Sequence, residues 1–308
     1  MSKRVLITGG AGFIGSHLVR HFAGQAQVTV LDDLRSGYAH NLDGVACRFV
    51  RGSILDARAL REAMADAEEV YHLAAMISVP ESVAKPAECA ELNTEGTRRV
   101  LDAAVAAGAR KVVLASSAAI YGDNPTVPKL ESMTPEPKSP YAETKLAGEH
   151  LLEAYRQTHG LGTTSLRFFN VFGPRQDPRS AYAAAVPIFI AKALRDEPIG
   201  IHGDGGQTRD FVHVTDIVGA LAYAGASADM AGTYNVGYGR SQSILELAQE
   251  ILRLTGSKSV IEHLPPRAGD VRHSLASTER LLTAGWKPKS SVQAGLAETV
   301  DFYRQLKA

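Results

Sequence analysis

The stretch that decides the fold is "VLITGGAGFIGSHLV", residues 5–19. An apolar run leads into Gly9, Gly12 and Gly15, and an amphipathic segment follows the last glycine. This order predicts a strand, a tight glycine turn and a helix, in which backbone N–H groups and the helix N-terminus can approach an anionic group. Because turns favour glycine in any case, the triplet needs support from the sequence around it.

That support comes from the next apolar run, "VTVLDD", which places Asp32 seventeen residues after Gly15. The spacing is near that of a carboxylate that accepts hydrogen bonds from the adenine ribose of a dinucleotide. Asp32 would repel a 2′-phosphate, Asp33 adds to the repulsion, and Arg35 is the only feature that favours NADP. The sequence therefore predicts NAD as the cofactor. The predicted contacts in this region are Gly9, Gly12, Phe13, Ile14, Gly15, Asp32 and Asp33.

The first half of the chain alternates short apolar runs with helical patterns. Unbroken apolar runs indicate strands covered on both faces, and strand–helix–strand order indicates a parallel sheet. We therefore predict an α/β fold, a Rossmann-like doubly wound parallel sheet with a smaller α/β C-terminal substrate lobe. The predicted NAD-binding domain is 1–169, the substrate lobe is 170–308, and the chain is expected to return to the first domain at about 209–236.

Composition narrows the classes of partner. The chain has 308 residues, with 33 basic and 33 acidic side chains, so no global field would attract nucleic acid or an anionic membrane. Two cysteines form no disulfide framework, and the longest apolar stretch is too short to span a membrane and contains Pro187. We therefore expect a cytoplasmic protein. We also expect no metal site, because no spacing of His, Asp or Glu residues is typical of one.

A second informative stretch is "SPYAETKLAGEH", residues 139–150. Tyr141 and Lys145 are four residues apart and so share one helix face. Spacing alone leaves open a solvated helix face. However, Ser117 ends the apolar strand "KVVLASS", and ligands of doubly wound folds bind at the carboxyl ends of strands. An ammonium beside a phenol favours the phenolate, which could remove a proton from an alcohol.

These features together resemble the extended short-chain dehydrogenase/reductase family, over essentially the whole chain. Within it, the chain is similar to the UDP-hexose 4-epimerases. The stretches that carry the resemblance are "TGGAGFIGSHLV", "HLAA", "SVPESVAKP", "SSAAIYGDN", "PYAETKLAGE", "RFFNVFGPRQ", "RDFVHVTD" and "PPRAGDVRHS".

The resemblance implies roles for individual residues. It assigns a catalytic triad of Ser117, Tyr141 and Lys145, of which Tyr141 and Lys145 also contact NAD. Further cofactor contacts are Leu73, Ala74 and Asn93, with Ser53 and Ile54 near the adenine. The implied substrate contacts are Ser78, Ser117, Asn170, Arg209, Arg267, Asp270 and Ser274. It also implies a UDP-sugar substrate and a homodimer formed through the helices at 94–109 and 140–158.

Three positions narrow the reaction and its substrate. Related 4,6-dehydratases and decarboxylases carry acidic residues just after the strand-end hydroxyl, whereas this chain has Ala118 and Ala119. The hypothesis is oxidation of the sugar at C4 to a transient 4-keto sugar, followed by reduction on the opposite face. Ser274 stands where strict UDP-galactose enzymes carry a tyrosine, which predicts room for a 2-acetamido group. A UDP-glucuronate epimerase, another nucleotide-sugar oxidoreductase and an NAD-sensing protein without activity stay open as alternatives.

Overall fold

The computed structural model describes residues 2–178, 184–266 and 271–307. Arg267 and Asp270 of the predicted substrate set lie outside these residues. The strands are β1 (Lys3–Thr8), β2 (Ala26–Asp32), β3 (Arg48–Arg51), β4 (Glu69–His72), β5 (Lys111–Ser117), β6 (Gly162–Phe168), β7 (Asn170–Phe172), β8 (Ile199–His202), β9 (Thr208–His213), β10 (Gly232–Val236), β11 (Ser241–Ser243) and β12 (Ile261–Leu264). The helices are α1 (Phe13–Phe22), α2 (Ala57–Met64), α3 (Val79–Ala84), α4 (Pro86–Ala90), α5 (Gly96–Ala106), α6 (Pro140–His159), α7 (Ala185–Ala193), α8 (Val214–Ala226), α9 (Ile244–Thr255), α10 (Glu279–Thr283) and α11 (Val292–Lys307).

Seven of these strands form one parallel sheet in the order β10-β6-β5-β4-β1-β2-β3. The chain runs outward from β1 to β3 and then restarts on the other side of β1 with β4, so the strand order reverses between β1 and β4. A crevice at the carboxyl ends of the strands opens at such a reversal, and it is where doubly wound sheets bind ligands. The predicted fold class is confirmed.

Helices cover both faces of this sheet, which explains the unbroken apolar runs of its strands. Val5 and Ile7 of β1 pack into the core under α1 and α8, whereas Leu6 between them packs into the core under α2, α5 and α6. Neighbouring side chains of a strand point to opposite faces, so both sets have to be apolar.

The remaining strands form two small sheets. β7 pairs with β9 in parallel, β11 adds to β9 in the antiparallel sense, and β12 pairs with β8. A third core, under α7, α9 and α11, covers them. The segment expected to return at about 209–236 divides between the sheets: β9 belongs to the three-stranded sheet, and β10 is the strand that joins the large one. The division of the chain at residue 169 stays a prediction.

In the ranges given above, no helix combines the length and the apolar character needed to cross a membrane.

Candidate active site

The glycine turn after β1 is shaped by close backbone approach. A Cβ on Gly15 would overlap the carbonyl oxygen of Gly9 and lie 2.7 Å from the Cα of Gly10. A Cβ on Gly12 would meet only the Gly9 carbonyl oxygen, at 3.3 Å. Gly15 is therefore required for the packing of the turn. A side chain on Gly12 would mainly occupy open space beside the turn.

Helix α1 begins at this turn without a capping side chain. Gly12 is its N-cap, and the first turn carries no acidic residue and no side-chain cap among the described residues. By contrast, Asp56 caps α2, Ser139 caps α6 and Ser243 caps α9. The first N–H groups of a helix need an acceptor, so this N-terminus suits the diphosphate of a dinucleotide.

Asp32 lies beside the turn at the end of β2. Its carboxylate accepts hydrogen bonds from the backbone N–H groups of Ala11 at 2.9 Å and Leu34 at 2.8 Å. Burial raises the pKa of this carboxyl group, and the two backbone hydrogen bonds lower it. The side chain is 7 % exposed, so it is fixed at the crevice. The Arg35 guanidinium, which could have met a 2′-phosphate, pairs with Glu88 at 2.6 Å.

A cavity of about 410 Å³ lies in the crevice and brings most of the predicted cofactor residues together. Its lining includes Gly9, Gly12, Phe13, Ile14, Gly15, Asp32, Asp33, Ser53, Ile54, Leu73, Ala74, Ser117, Tyr141 and Lys145. The uncapped helix, the glycine turn and the buried carboxylate therefore fit an NAD molecule. Within the described ranges, no group of three His, Cys, Asp or Glu side chains is placed to hold a metal ion.

Helix α6 brings Tyr141 and Lys145 to the end of β5. Ser139 caps the helix by accepting from the N–H of Ala142 at 3.2 Å, and Pro140 takes the first helical position. The Lys145 ammonium donates to the carbonyl oxygen of Ala115 at 2.9 Å and lies 5.7 Å from the ring centroid of Tyr141. The Ser117 hydroxyl lies near the Tyr141 phenol and interacts with it.

The pKa values of these two groups are displaced from their ordinary values. Burial raises the pKa of the Tyr141 phenol, and the interaction with Ser117 acts in the opposite direction. Burial also lowers the pKa of the Lys145 ammonium to about 8. A partly buried phenol and a buried ammonium with displaced pKa values in a cleft are typical of an acid–base site.

Three predicted substrate residues gather beside the cavity, around β9. Asn170 donates its side-chain amide to the carbonyl oxygen of Asp210 at 3.3 Å, and the backbone N–H of Ser274 donates to the carbonyl oxygen of Thr208 at 3.1 Å. Arg209 lies between these two contacts on β9. Phe169, which precedes Asn170, lines the cavity, so the cluster adjoins it.

Two predicted residues are placed differently. Ser78 caps α3 by accepting from the N–H of Glu81 at 3.1 Å. The Asn93 amide is bonded to protein groups: it accepts from the N–H of Met76 at 2.7 Å and donates to Met76 O and Thr144 Oγ1, each at 3.0 Å. Neither residue is among the described residues that line the cavity. Their roles as ligand contacts stay predictions.

The structure adds cavity residues that sequence reasoning missed. Tyr38, Arg175, Gln176 and Asp177 all line the cavity. The Tyr38 hydroxyl donates to the Asp177 carboxylate at 2.5 Å, which joins the loop after β2 to the loop after β7. Arg175 has a left-handed backbone with φ of +66°. For the last three of these residues, the sequence signal is the Gly, Pro, Asp and Arg content of "NVFGPRQDPRSAY".

Known proteins are similar to this chain in sequence. The sequence profile of the NAD dependent epimerase/dehydratase family matches residues 5–237. A UDP-glucose 4-epimerase of Mycolicibacterium smegmatis is 43% identical over 310 residues, which cover 98% of this chain and 98% of that protein.

Solved structures are similar over the same length. A UDP-N-acetylglucosamine 4-epimerase from Methanobrevibacter ruminantium, in complex with UDP-N-acetylmuramic acid, superposes with a TM-score of 0.96 at 38% identity, over 99% of each chain. A UDP-glucose 4-epimerase from Thermus thermophilus, in complex with NAD, does so with a TM-score of 0.89 at 39% identity, over 98% of this chain and 99% of the other. The chain belongs to the NAD dependent epimerase/dehydratase family.

Proposed function

We propose that this protein catalyses the NAD-dependent 4-epimerisation of a UDP-hexose. The substrates are UDP-glucose and UDP-galactose, together with UDP-GlcNAc and UDP-GalNAc. The observation that carries the choice of reaction is the turn after Ser117. Ala118 and Ala119 begin a 3₁₀ turn (Ala118–Tyr121) directly after the strand-end hydroxyl. Neither side chain can donate or accept a proton, so elimination of water has no acid or base at these positions.

The chain's own groups hold the cofactor at the crevice. The Gly12 turn and the N-terminus of α1 receive the diphosphate, and the Asp32 carboxylate receives the adenine ribose hydroxyls. Ser53, Ile54, Leu73 and Ala74 line the remaining walls. NAD⁺, when bound, supplies an acceptor that takes the hydride from C4 of the sugar and returns it.

Side chains of the protein accept and return the proton of the 4-hydroxyl group of the sugar. The Tyr141 phenolate oxygen accepts this proton as the carbinol becomes a ketone, and returns it in the second half-reaction. The Ser117 hydroxyl hydrogen-bonds to the phenolate and to the 4-oxygen of the sugar. Lys145 stabilises the phenolate through its positive charge, because its own hydrogen bond goes to Ala115.

For the keto sugar to turn over within the site, the protein must bind the nucleotide tightly and make few contacts to the hexose. We assign the binding of the nucleotide to Asn170, Arg209, Arg267 and Asp270, and we place Ser78 and Ser274 nearer the sugar. Arginines suit this task in a protein with no net charge, because charge-assisted hydrogen bonds to a diphosphate supply the attraction locally.

We further propose a cytoplasmic homodimer that binds neither nucleic acid nor membrane. Both cysteines, Cys47 and Cys89, are free thiols, and acidic and basic side chains balance. The interface between the two copies is assigned to α5 and α6. Sedimentation of the purified protein tests whether it forms a dimer.

The functional proposal is tested by an NMR assay of the purified protein with UDP-glucose, UDP-GlcNAc and UDP-glucuronate, without added cofactor. Formation of the 4-epimers of the first two supports it. Conversion of UDP-glucuronate alone would assign the protein to the acid-specific reaction. Release of NADH with an accumulating ketone would indicate a net oxidoreductase. Tight NAD binding with no turnover of any UDP-sugar would indicate a sensing protein.

A further inference from the structure

Helix α6 presents an unusual buried face to β5. Besides Tyr141, it places Lys145 and Glu149 against the sheet, and each of these two is only 7 % exposed. Three consecutive residues of β5 meet three consecutive turns of the helix. Ser117 lies near Tyr141 and interacts with its phenol, the carbonyl oxygen of Ala115 accepts from Lys145 at 2.9 Å, and the Ser116 hydroxyl donates to Glu149 Oε1 at 2.5 Å. The proposed function uses the first two contacts and leaves the third unexplained.

The third contact continues into the sheet. Arg167 of β6 donates to Glu149 through Nε at 2.9 Å and through Nη2 at 2.7 Å, and both side chains are 5 % exposed. Arg167 is the register partner of Ser116 on β5 and of Asn235 on β10. The two-pronged geometry fixes the orientation of both side chains as well as their distance.

Tyr121 closes the row on its other side. Arg167 Nη1 donates to the Tyr121 hydroxyl at 2.8 Å, and this hydroxyl donates to Asn235 Oδ1 at 2.7 Å. The result is a buried row of hydrogen bonds that crosses three strands of the sheet and ends under α6. We call these residues (Ser116, Glu149, Arg167, Tyr121 and Asn235) the Glu149 row.

We propose that Glu149 and Arg167 are positioning residues for proton transfer at Tyr141, an inference that rests on the proposed function. The pair joins α6 to β6, and the bond from Ser116 to Glu149 joins α6 to β5 one residue before Ser117 and two turns after Tyr141. Together these contacts fix the rotation and the height of the helix over the strand end. The Tyr141 phenol is thereby held against the Ser117 hydroxyl. Neither Glu149 nor Arg167 lines the cavity within the described residues, so both act through other side chains.

Stability alone is a poor explanation for this pair. A buried ion pair loses the hydration of both charges, and apolar side chains of similar volume often give an equally stable fold. What apolar side chains do not supply is direction, because packing contacts leave a helix freer to shift by small amounts. A misplacement of about 1 Å at a reacting centre can cost about a hundred-fold in rate.

The test separates these two roles. Single variants at either residue leave the partner charge buried and unpaired, and they are expected to destabilise the fold. The decisive variant is therefore the double replacement Glu149→Leu/Arg167→Met, which removes both charges. Ser116→Ala removes only the contact to β5 and keeps the ion pair. The matched control is Glu153→Gln, one turn further along α6, where an exposed ion pair with Arg156 is lost.

We expect the double variant to melt close to the wild type, to bind NAD with unchanged affinity and to keep its KM for UDP-glucose, while kcat falls at least about ten-fold. Ser116→Ala should show the same pattern with a smaller loss, and Glu153→Gln should match the wild type. A wild-type kcat in the double variant overturns the proposal. So does a parallel loss of kcat, substrate affinity and NAD affinity, because that pattern indicates general disorder.

A second readout does not depend on turnover. Amide hydrogen exchange in residues 140–149 should be faster in the double variant than in the wild type and in Glu153→Gln. Unchanged exchange there overturns the positioning role. Absence of epimerase activity in the wild type would instead reject the proposed function, so the two failures are distinguishable.

Discussion

The ammonium of Lys145 lies 5.7 Å from the ring centroid of Tyr141, and its hydrogen bond goes to the carbonyl oxygen of Ala115. Lys145 therefore acts on the phenol by its charge across a short distance, while the Ser117 hydroxyl lowers the phenol's pKa. At an effective dielectric constant of about 20, a unit charge about 6 Å away contributes roughly 3 kcal/mol. This interaction opposes the effect of burial, which raises the pKa of Tyr141.

Tyr141→Phe removes the proton acceptor and keeps the ring. We expect kcat to fall by about 10³-fold, within the range that a positioned general base contributes. NAD affinity, measured by calorimetry, should change little because the phenyl ring still lines the cavity. Near-native turnover in this variant would contradict the assignment of Tyr141.

The charge of Lys145 predicts a pH dependence. Its folded pKa of about 8 lies below the ordinary value, so the ammonium loses its proton as the pH rises through about 8. The phenolate then loses its positive neighbour, and the wild-type rate should decline above that pH. Lys145→Met should be slower by roughly a hundred-fold near pH 7 and should lack this alkaline limb. An unchanged limb in the variant would assign the titration to another group.

The same group predicts the sign of a stability effect. Between about pH 8 and the higher pKa of an unfolded lysine, the unfolded chain binds more protons than the folded one. Stability therefore gains a contribution from Lys145 as the pH rises through this window. Urea titrations of the wild type and of Lys145→Met across the window measure it, and equal slopes would contradict the lowered pKa.

Two glycines of the turn should respond differently to alanine. Gly15→Ala forces the turn apart, because its Cβ overlaps the Gly9 carbonyl oxygen, and we expect a loss of stability of about 1–3 kcal/mol. Gly12→Ala has only one contact, at 3.3 Å, so the fold should be retained while NAD binding weakens. Urea unfolding without cofactor and calorimetric titration with NAD separate the two effects. Equal losses of stability in both variants would contradict the distinction.

Ser274 carries the prediction about substrate range. Ser274→Tyr should reduce kcat/KM for UDP-GlcNAc by at least about ten-fold, because the phenol fills the space assigned to the acetamido group. Activity with UDP-glucose should be retained. Unchanged activity with the acetamido substrate would mean that Ser274 does not face C2 of the sugar.

The fold and the helix that carries Tyr141 and Lys145 were predictable because they depend on local pattern. Unbroken apolar strands, the glycine turn and Asp32 determine the parallel sheet and its crevice, and Ser139 and Pro140 mark where α6 begins. The Glu149 row was not predictable, because its members come together only through the register of β5, β6 and β10. Glu149 stands four residues after Lys145, yet a charged residue at that position is equally typical of a solvated helix face. The Tyr38–Asp177 contact was missed for the same reason, since it joins loops 139 residues apart.

The most direct test of the central claim follows a label at C4. UDP-glucose that carries deuterium at C4 is incubated with the protein, and the products are analysed by NMR, with a parallel reaction of unlabelled substrate in D₂O. The account predicts UDP-galactose that retains deuterium at C4 and gains none from solvent at any carbon. Loss of the C4 label to solvent, or incorporation of solvent deuterium at C5 or C6, would contradict oxidation and re-reduction at a single carbon.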